Sequence, residues 1–366
     1  MKVDKKLEEN ITLKQLGWKN FYQQQVDVEN TFIPARVSRQ DRSGYQLMSE
    51  IGKLNGSLPG KSRLETTSRA ELPTVGDWVL VSQADVANSD QVIIQQTLER
   101  STKFSRKKAG EEFDEQVVAA NIDTIFIVTG LDDNFNVKRI ERYLLLTWAS
   151  GATPVIILNK ADMCTDIDIK VEQVQKIAAG TVILVVSATN ENGIDQLRAW
   201  ISEGTTVAVL GSSGVGKSTL INCLLGYSHF KTGDVREADS KGRHTTTHRE
   251  LCLIDSGGLI IDTPGMREIQ FWIDKDSTIS SYNDVEGYAQ NCKFHDCSHE
   301  TEPDCAVKKA IETETLSAER FVSYLKFQKE IAFFEEQKKA SLKIEKKNER
   351  KRFSKPARNR SSLRDE

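Results

Sequence analysis

Nine residues between two regular elements have the composition of a phosphate-binding loop. Residues 211–219 read GSSGVGKST; the preceding TTVAVL predicts a strand and the following TLINCLLG predicts a helix. Glycines let backbone N–H groups surround phosphate oxygens, and a helix N-terminus favours their negative charge. We expect Lys217 to reach the β- and γ-phosphates as a catalytic residue, and the Ser218 hydroxyl to ligate Mg²⁺. The predicted phosphate-contacting residues are Gly211, Ser212, Ser213, Gly214, Val215, Gly216, Lys217, Ser218 and Thr219.

A second motif indicates which base is bound. Residues 159–162, NKAD, directly follow the apolar run TPVIIL, and residues 187–189, SAT, follow another apolar run. The Asp162 carboxylate can accept hydrogen bonds from guanine N1–H and its exocyclic amino group, a donor pair that adenine lacks. The motif therefore favours GTP, and a P-loop kinase or general ATPase is the alternative. The predicted base-contacting residues are Asn159, Lys160, Ala161, Asp162, Ser187 and Ala188.

A switch element of the D-x-x-G type occurs at residues 262–265, DTPG, after the apolar run GLII. We expect Asp262 to hold Mg²⁺ through water and the Gly265 N–H to sense the γ-phosphate. The motifs thus occur in the order base, phosphate loop, switch, whereas the common arrangement begins with the phosphate loop. A circular permutation preserves the spatial site if the old termini are joined and the chain opens elsewhere. The order therefore predicts a circularly permuted domain.

The other switch is predicted at residues 242–247, GRHTTT. Its threonines are candidates for the magnesium shell, and we expect Thr246 or Thr247 to contribute. Many GTPases place a water-orienting glutamine directly after the D-x-x-G glycine, but this chain has Met266 there. We therefore hypothesise that His244 helps to orient the attacking water; the alternative is an ordinary histidine of a surface loop.

A cluster of Cys and His residues near the C-terminus has the spacing of a metal site. Cys292, Cys297 and Cys305 lie within fourteen residues, with His295 and His299 between them. Three thiolates and one imidazole make a full tetrahedral shell for one Zn²⁺. Because no ligand position is left open, we expect a structural ion. The spacing alone does not choose between the two histidines, and free cysteines in a loop are the remaining alternative.

The surrounding elements change in type along the chain. Short β-like runs between residues 31 and 97 predict a small barrel of about five strands, of the OB or SH3-like kind. The polar segment 99–113 is typical of a linker. From residue 117 onwards, apolar runs alternate with helical stretches, including one near 168–179, which predicts a parallel sheet covered on both faces. A long helix is predicted over roughly 315–350.

Composition and charge restrict the class of protein. At 366 residues the chain can form two or three domains, and no apolar run reaches the length of a membrane-spanning helix. The start, MKVDKKLEEN, lacks the apolar stretch of a secretory signal, so we expect a cytoplasmic protein. Although the net charge is −3, the stretch from Lys338 to Arg364 holds twelve Lys and Arg against two Glu. This basic tail indicates a polyanionic partner.

With its motifs in this order, the chain resembles the ribosome small-subunit-dependent GTPase family RsgA, also called YjeQ, over nearly its whole length. The resemblance rests on NKAD, SAT, GSSGVGKST, GRHTTT, DTPG and the Cys-Cys-His-Cys segment. It implies an N-terminal OB-fold, a central circularly permuted α/β P-loop GTPase domain and a mostly helical zinc-binding C-terminal domain. The family pattern also favours His299 as the fourth zinc ligand. We predict these domains at 1–105, 106–278 and 279–366.

The resemblance also implies an activity and its partners. It implies GTP hydrolysis that the small (30S) ribosomal subunit stimulates, during late maturation of that subunit. The expected partners are this subunit, its rRNA and GTP or GDP, with Zn²⁺ and Mg²⁺ as cofactors, no membrane, and a monomeric chain. A rival interpretation is an RNA-binding assembly clamp in which nucleotide turnover only resets the clamp.

Overall fold

A computed structural model describes most of the chain in two compact units. One unit comprises residues 1–106 and 116–272, and the other 107–115 and 273–366. The domain boundaries predicted above stay predictions. Besides scattered positions from 315 to 339, the described residues are 11–27, 32–41, 44–59, 69–89, 91–107, 115–178, 180–228, 249–262, 283–294, 297–299 and 302–313.

The first unit begins with a closed five-stranded barrel. The strands are β1 Phe32–Gln40, β2 Tyr45–Ser49, β3 Gly52–Ser57, β4 Trp78–Ser82 and β5 Gln91–Thr97. β1 pairs with both β2 and β4, β3 pairs in parallel with β5, and β5 pairs with β4. This closed order 1-2-3-5-4-1 agrees with the expected OB-fold. Alternate side chains face inward along each strand and fill the barrel, including Val37, Leu47, Leu54, Val79, Val81 and Ile94.

The prediction of a linker at 99–113 is wrong for part of that segment. Lys103–Lys107 forms strand β6, which pairs with strand β7, Glu115–Ala120, in a separate two-stranded sheet. The polar side chains of this segment do not predict a strand, because its pairing is made by backbone N–H and C=O groups. Phe104 supplies a buried apolar side chain.

An α/β sheet follows the barrel in the same unit. Its strands are β8 Thr124–Gly130, β9 Thr153–Asn159, β10 Val182–Val185, β11 Thr206–Leu210, β12 Glu250–Leu253 and β13 Leu259–Asp262. They lie in the order β10-β9-β8-β11-β13-β12, parallel as predicted except that β12 runs antiparallel to β13. β12 also pairs with β1 of the barrel, so eleven strands form one continuous sheet.

The described part of the first unit has six α-helices. They are α1 Asn20–Gln23, α2 Gln83–Asn88, α3 Val137–Ser150, α4 Ile167–Ile177, α5 Ile194–Arg198 and α6 Lys217–Leu225. The Asn136 side chain caps α3 by accepting a hydrogen bond from the Arg139 N–H, and Gly151 ends that helix in the left-handed conformation. Apolar residues of α5 and α6 pack on the buried strands β8, β9 and β11 and form the main core.

The described part of the second unit contains two short helices, and turns between them carry most of the cysteine and histidine residues. The helices are α7 Asn283–Ala289 and α8 Ala306–Glu312. The described positions from 318 to 339 are helical, whereas 315 and 316 are not, and the part of the predicted long helix from 340 to 350 lies outside the described residues. Within the described parts of both units, no helix combines the length and the apolarity needed to span a bilayer.

A buried arginine joins three segments of the first unit. The Arg36 guanidinium donates hydrogen bonds to the carbonyl oxygens of Leu16, Gly76 and Asn121 and lies 5.6 Å from the centre of the Trp78 ring. Replacing Arg36 with Met leaves three carbonyls without this donor. We expect the unfolding free energy to fall by about 3 kcal/mol, measured as a lower denaturant midpoint.

Arg39 provides the matched control because it lies on the same strand. Its side chain is partly exposed and pairs with Asp41 at 3.0 Å. Arg39→Met should cost less than about 1 kcal/mol, as for other exposed ion pairs. Equal losses in the two variants would contradict the structural role of Arg36.

Candidate functional site

The predicted nucleotide-binding segments meet at one edge of the α/β sheet. β8, β9, β10 and β11 are parallel, so their carboxyl ends lie on the same side. The loops that follow β9, β10 and β11 contain residues 159–162, 187–188 and 211–216. In open α/β sheets, ligands bind at this edge.

The loop after β11 has a backbone that only glycine adopts without strain. Gly214 and Gly216 have φ angles of 75° and 93°, in the left-handed region. A Cβ added at Gly216 would overlap the side-chain amide of Asn159, and one added at Gly211 would overlap the Val128 carbonyl oxygen. These glycines therefore allow the loop to pack closely on the strands and on the neighbouring loop.

The start of α6 brings a cation to the same loop. Lys217 is the first residue of α6, and its Nζ donates hydrogen bonds to the carbonyl oxygens of Gly211 at 2.8 Å and Ser212 at 2.6 Å. The half-buried Ser218 and Thr219 follow in the first turn. A helix N-terminus, an ammonium group and two hydroxyls together can bind the oxygens of a phosphate chain.

Asn159 connects the three loops. Its side chain is buried, donates through Nδ2 to the Val215 carbonyl at 2.8 Å, and accepts at Oδ1 from the Ala188 N–H at 3.0 Å. One amide therefore links the loop after β9 to the phosphate-loop segment and to the loop after β10.

Asp162 lies beside the loop after β10. The Ser187 hydroxyl donates to Asp162 Oδ1 at 2.5 Å, and the Ala161 N–H donates to the Val186 carbonyl at 3.1 Å. Lys160 has a left-handed backbone, with φ of 65°. These contacts hold the loops after β9 and β10 together, and the two loops contain the predicted base-contacting residues.

Two residues of the site were missed by the sequence analysis. Asp132 accepts a hydrogen bond from Lys160 Nζ at 2.7 Å, and the Asn134 side chain donates to the Ser213 carbonyl at 3.0 Å. Burial of the Asp132 carboxyl opposes its ionisation, but Lys160 and the Asn134 N–H outweigh burial and hold the pKa of Asp132 below its ordinary value. The available signal was an acidic residue two positions after the buried strand β8, which lies next to the strand that leads into the phosphate loop.

Asp262 is the last residue of β13 and is buried. β13 neighbours β11, with Asp262 in register with Val209, so this carboxylate lies beside the strand that leads into the phosphate-loop segment. The other residues predicted for the switches and for magnesium lie outside the described residues: His244, Thr246, Thr247 and Gly265.

The second unit brings the predicted metal ligands together. The ligand atoms of Cys292, Cys297, His299 and Cys305 all lie within 4.8 Å of one another. The Cys292 sulfur is 3.6 Å from His299 Nδ1 and 3.8 Å from the Cys305 sulfur, and His299 Nδ1 is 3.4 Å from the Cys305 sulfur. His295, the competing ligand, lies outside the described residues.

The chemistry of these four groups fits zinc, as do the distances among Cys292, His299 and Cys305. Around a tetrahedral zinc with bonds of about 2.3 Å to sulfur and 2.0 Å to nitrogen, ligand atoms lie about 3.5–3.8 Å apart. Burial lowers the pKa of His299, which favours the neutral ring that a metal requires. Burial and the neighbouring thiols of Cys305 and Cys292 raise the pKa of Cys297 to about 11. A bound dication would reverse that shift by favouring the thiolate.

Comparisons with known proteins give the same family at several levels. A family model described as RsgA GTPase matches residues 97–272. The chain is 48% identical over 329 residues to the small ribosomal subunit biogenesis GTPase RsgA 2 of Vibrio parahaemolyticus, covering 88% of this chain and 86% of that protein. It is 43% identical over 346 residues to RsgA 1 of Oceanobacillus iheyensis, covering 94% and 98%. The crystal structure of YjeQ from Thermotoga maritima superposes with a TM-score of 0.61 at 25% identity, covering 84% of this chain and 98% of that one.

Proposed function

This chain belongs to the RsgA family of GTPases, and from that premise we propose that it hydrolyses GTP as a biogenesis factor of the small ribosomal subunit. The observation that carries the proposal is the pair of hydrogen bonds that the buried Asn159 side chain makes with Val215 and Ala188. One buried side chain holds the loop that contains Asp162 against the loop that precedes Lys217. A guanine base and a triphosphate can therefore be bound by adjacent loops.

We propose the following contacts with the nucleotide. Asp162 accepts from guanine N1–H and the exocyclic amino group, Lys160 lies along the base plane, and the loop containing Ser187 and Ala188 contacts the base carbonyl. The N–H groups of residues 211–219 surround the phosphates, and Lys217 lies against the β- and γ-phosphates. The sequence motifs and the common edge of the sheet support these roles.

The donor set fits a magnesium ion at the phosphates. Ser218 offers a hydroxyl at the start of α6 and Asp262 a carboxylate at the end of β13, and oxygen donors suit this hard cation. We propose that Ser218 ligates Mg²⁺ directly and Asp262 through water, with Thr246 or Thr247 completing the shell. When bound, the ion neutralises charge on the β- and γ-phosphate oxygens.

Hydrolysis requires a water in line with the γ-phosphorus. As the water oxygen bonds to phosphorus, the bond to the β–γ bridging oxygen breaks and negative charge spreads over the phosphoryl and leaving oxygens. A phosphoryl oxygen takes up the proton that the water loses, so the products are GDP and phosphate. We propose that the Lys217 ammonium and the first N–H groups of α6 attract this negative charge and so stabilise the transition state.

Because Met266 cannot orient a water, we propose that His244 does so. His244→Ala should lower kcat about a hundredfold while the affinity for GTP stays nearly unchanged, since the imidazole acts only on the attacking water. Single-turnover hydrolysis of GTP and equilibrium binding of a non-hydrolysable GTP analogue measure the two effects. An unchanged kcat would remove His244 from the mechanism.

The proposed partner is the small ribosomal subunit with its rRNA, contacted by the N-terminal barrel and the basic tail. OB-folds bind nucleic acids on one sheet face and its loops, and clustered Lys and Arg neutralise phosphates. A ribosomal partner places the proposed action in the cytoplasm. Lys338 and the rest of the tail lie outside the continuously described residues.

GTP turnover measured with purified subunits tests this partner. We expect small subunits to raise kcat at least about tenfold, and large subunits to leave it within about twofold, because only the specific partner completes the catalytic arrangement. Stimulation should fall as salt rises, since phosphate contacts release counterions. Equal stimulation by both subunits would contradict the proposed specificity.

A further inference from the structure

The loop between β8 and α3, residues 131–136, lies between the two nucleotide-binding loops. At one end, the Leu131 N–H donates to the Asn159 carbonyl at 2.8 Å, directly before Lys160. At the other end, the side chain of Asn134 reaches the phosphate-loop segment at Ser213. This connecting loop therefore joins the same two loops as Asn159, through different atoms.

Asp132 holds the side chain of Lys160. Their Oδ2 and Nζ atoms are 2.7 Å apart, and each side chain is only about a quarter exposed, at 23% and 25%. Lysine has a long flexible side chain with several rotatable bonds, so an unrestrained Lys160 would lose rotamer entropy when it packs along a base. The carboxylate fixes the ammonium before the base binds and so reduces that cost.

Asn134 is itself held in one orientation. Arg139 donates from one nitrogen to Asn134 Oδ1 at 2.9 Å and from another to the Asn134 carbonyl at 3.0 Å. Because a guanidinium only donates, the amide oxygen faces Arg139 and the amide nitrogen faces the Ser213 carbonyl. Asp132 Oδ1 also accepts from the Asn134 N–H at 3.1 Å, which couples the two ends of the connecting loop.

We propose that Asp132 and Asn134 are positioning residues for nucleotide binding. Asp132 acts through Lys160 on the base, and Asn134 acts through Ser213 on the conformation of the phosphate loop. This inference rests on the proposed nucleotide site and assigns two residues to it that the GTPase motifs do not include. Neither residue hydrogen-bonds to the base itself, so both contribute to the affinity for the nucleotide without selecting guanine.

Asp132→Asn tests the proposed role of Asp132, because it removes the negative charge that holds Lys160 and keeps an acceptor for the Asn134 N–H. We expect the Kd values for GDP and GTP to rise about fivefold, the size of a solvent-screened charge-assisted hydrogen bond. The control Asp133→Asn removes the same charge from the exposed neighbouring position and should change Kd by less than about twofold. In a Lys160→Met background, Asp132→Asn should give no further loss. An equal loss in that background, or no loss in the single variant, would overturn the role of Asp132.

Asn134→Ala tests the proposed role of Asn134, and the informative comparison is between the changes in KM and in kcat. We expect KM for GTP to rise about fivefold with kcat at saturation nearly unchanged, since the loop must be ordered at the moment of binding. The control Asn136→Ala removes the cap of α3 and should lower the unfolding midpoint while leaving KM within about twofold. An unchanged KM in Asn134→Ala, or an equal rise in both variants, would overturn the role of Asn134.

A separate variant tests the underlying site. Asp162→Asn changes the preference between GTP and xanthosine triphosphate only if the 159–162 loop contacts the base. If that preference changes while Asp132→Asn and Asn134→Ala have no effect, the positioning roles fail and the site assignment stands. If the preference does not change, the site assignment itself fails.

Discussion

Asp162→Asn should convert the protein from a GTP-binding to a xanthosine-triphosphate-binding enzyme. In the proposed complex the Asp162 carboxylate accepts from the N1–H and amino group of guanine, whereas xanthine carries an oxygen in place of that amino group. An asparagine amide can accept from N1–H and donate to this oxygen. Because a polar group that the bound base desolvates and leaves unpaired is costly, we expect the ratio of the two Kd values to change by about 10⁴-fold, about 5.5 kcal/mol.

Equilibrium binding of the two diphosphates and hydrolysis of the two triphosphates measure this exchange. The kcat for the preferred triphosphate should remain close to the original, since the proposed contact of Asp162 is with the base and not with the phosphates. A GTP preference that persists in Asp162→Asn would contradict the guanine assignment. ATP binding serves as the specificity control, and comparable ATP and GTP affinities in the unaltered chain would favour a general ATPase.

Loss of one ligand of the cysteine cluster should unfold the second unit. We expect one zinc per unaltered chain and less than about a tenth of that in Cys292→Ala, because three ligands bind a structural zinc far more weakly than four. Structural zinc supplies about 10 kcal/mol or more to small domains, which exceeds the stability of most domains of this size. Metal analysis of the purified protein measures the first effect, and limited proteolysis of residues 273–366 measures the second.

Cys164→Ser is the matched control because Cys164 lies in the first unit, remote in sequence from the cluster. It should retain full zinc content and protease resistance. The Cys292→Ala protein should still bind GDP, since the nucleotide loops pack on a core formed by α5, α6 and the strands of the first unit. Full zinc in Cys292→Ala, or zinc loss in the control, would contradict the proposed ligand set.

The chemistry of the site could be predicted wherever it depends on neighbours in sequence. A phosphate loop needs glycines, a lysine and a hydroxyl at fixed spacing, because successive backbone N–H groups and one helix start do the binding. Gly216 illustrates this, since its left-handed backbone is a local property that only glycine meets without strain. Three of the zinc ligands followed from spacing alone, while the choice of His299 came from the family resemblance.

Contacts between distant segments could not be predicted in the same way. Asp132 and Lys160 are 28 positions apart, and Asn134 and Ser213 are 79 positions apart. No periodicity links such residues, since their approach depends on β8 lying between β9 and β11. The strand β6 was missed for a related reason, because its pairing with β7 uses backbone atoms that the side chains do not reveal.

The sequence alone was enough to predict the phosphate loop, the aspartate expected to contact the base, the permuted order of the motifs and the cysteine cluster. The fold was needed to reveal the strand order that closes the barrel, the antiparallel β12, the buried contacts of Arg36 and the second connection between the nucleotide loops. The difference is one of range. Hydrogen-bond chemistry and backbone conformation are encoded within a few residues, whereas the packing of whole strands decides which distant side chains come within bonding distance.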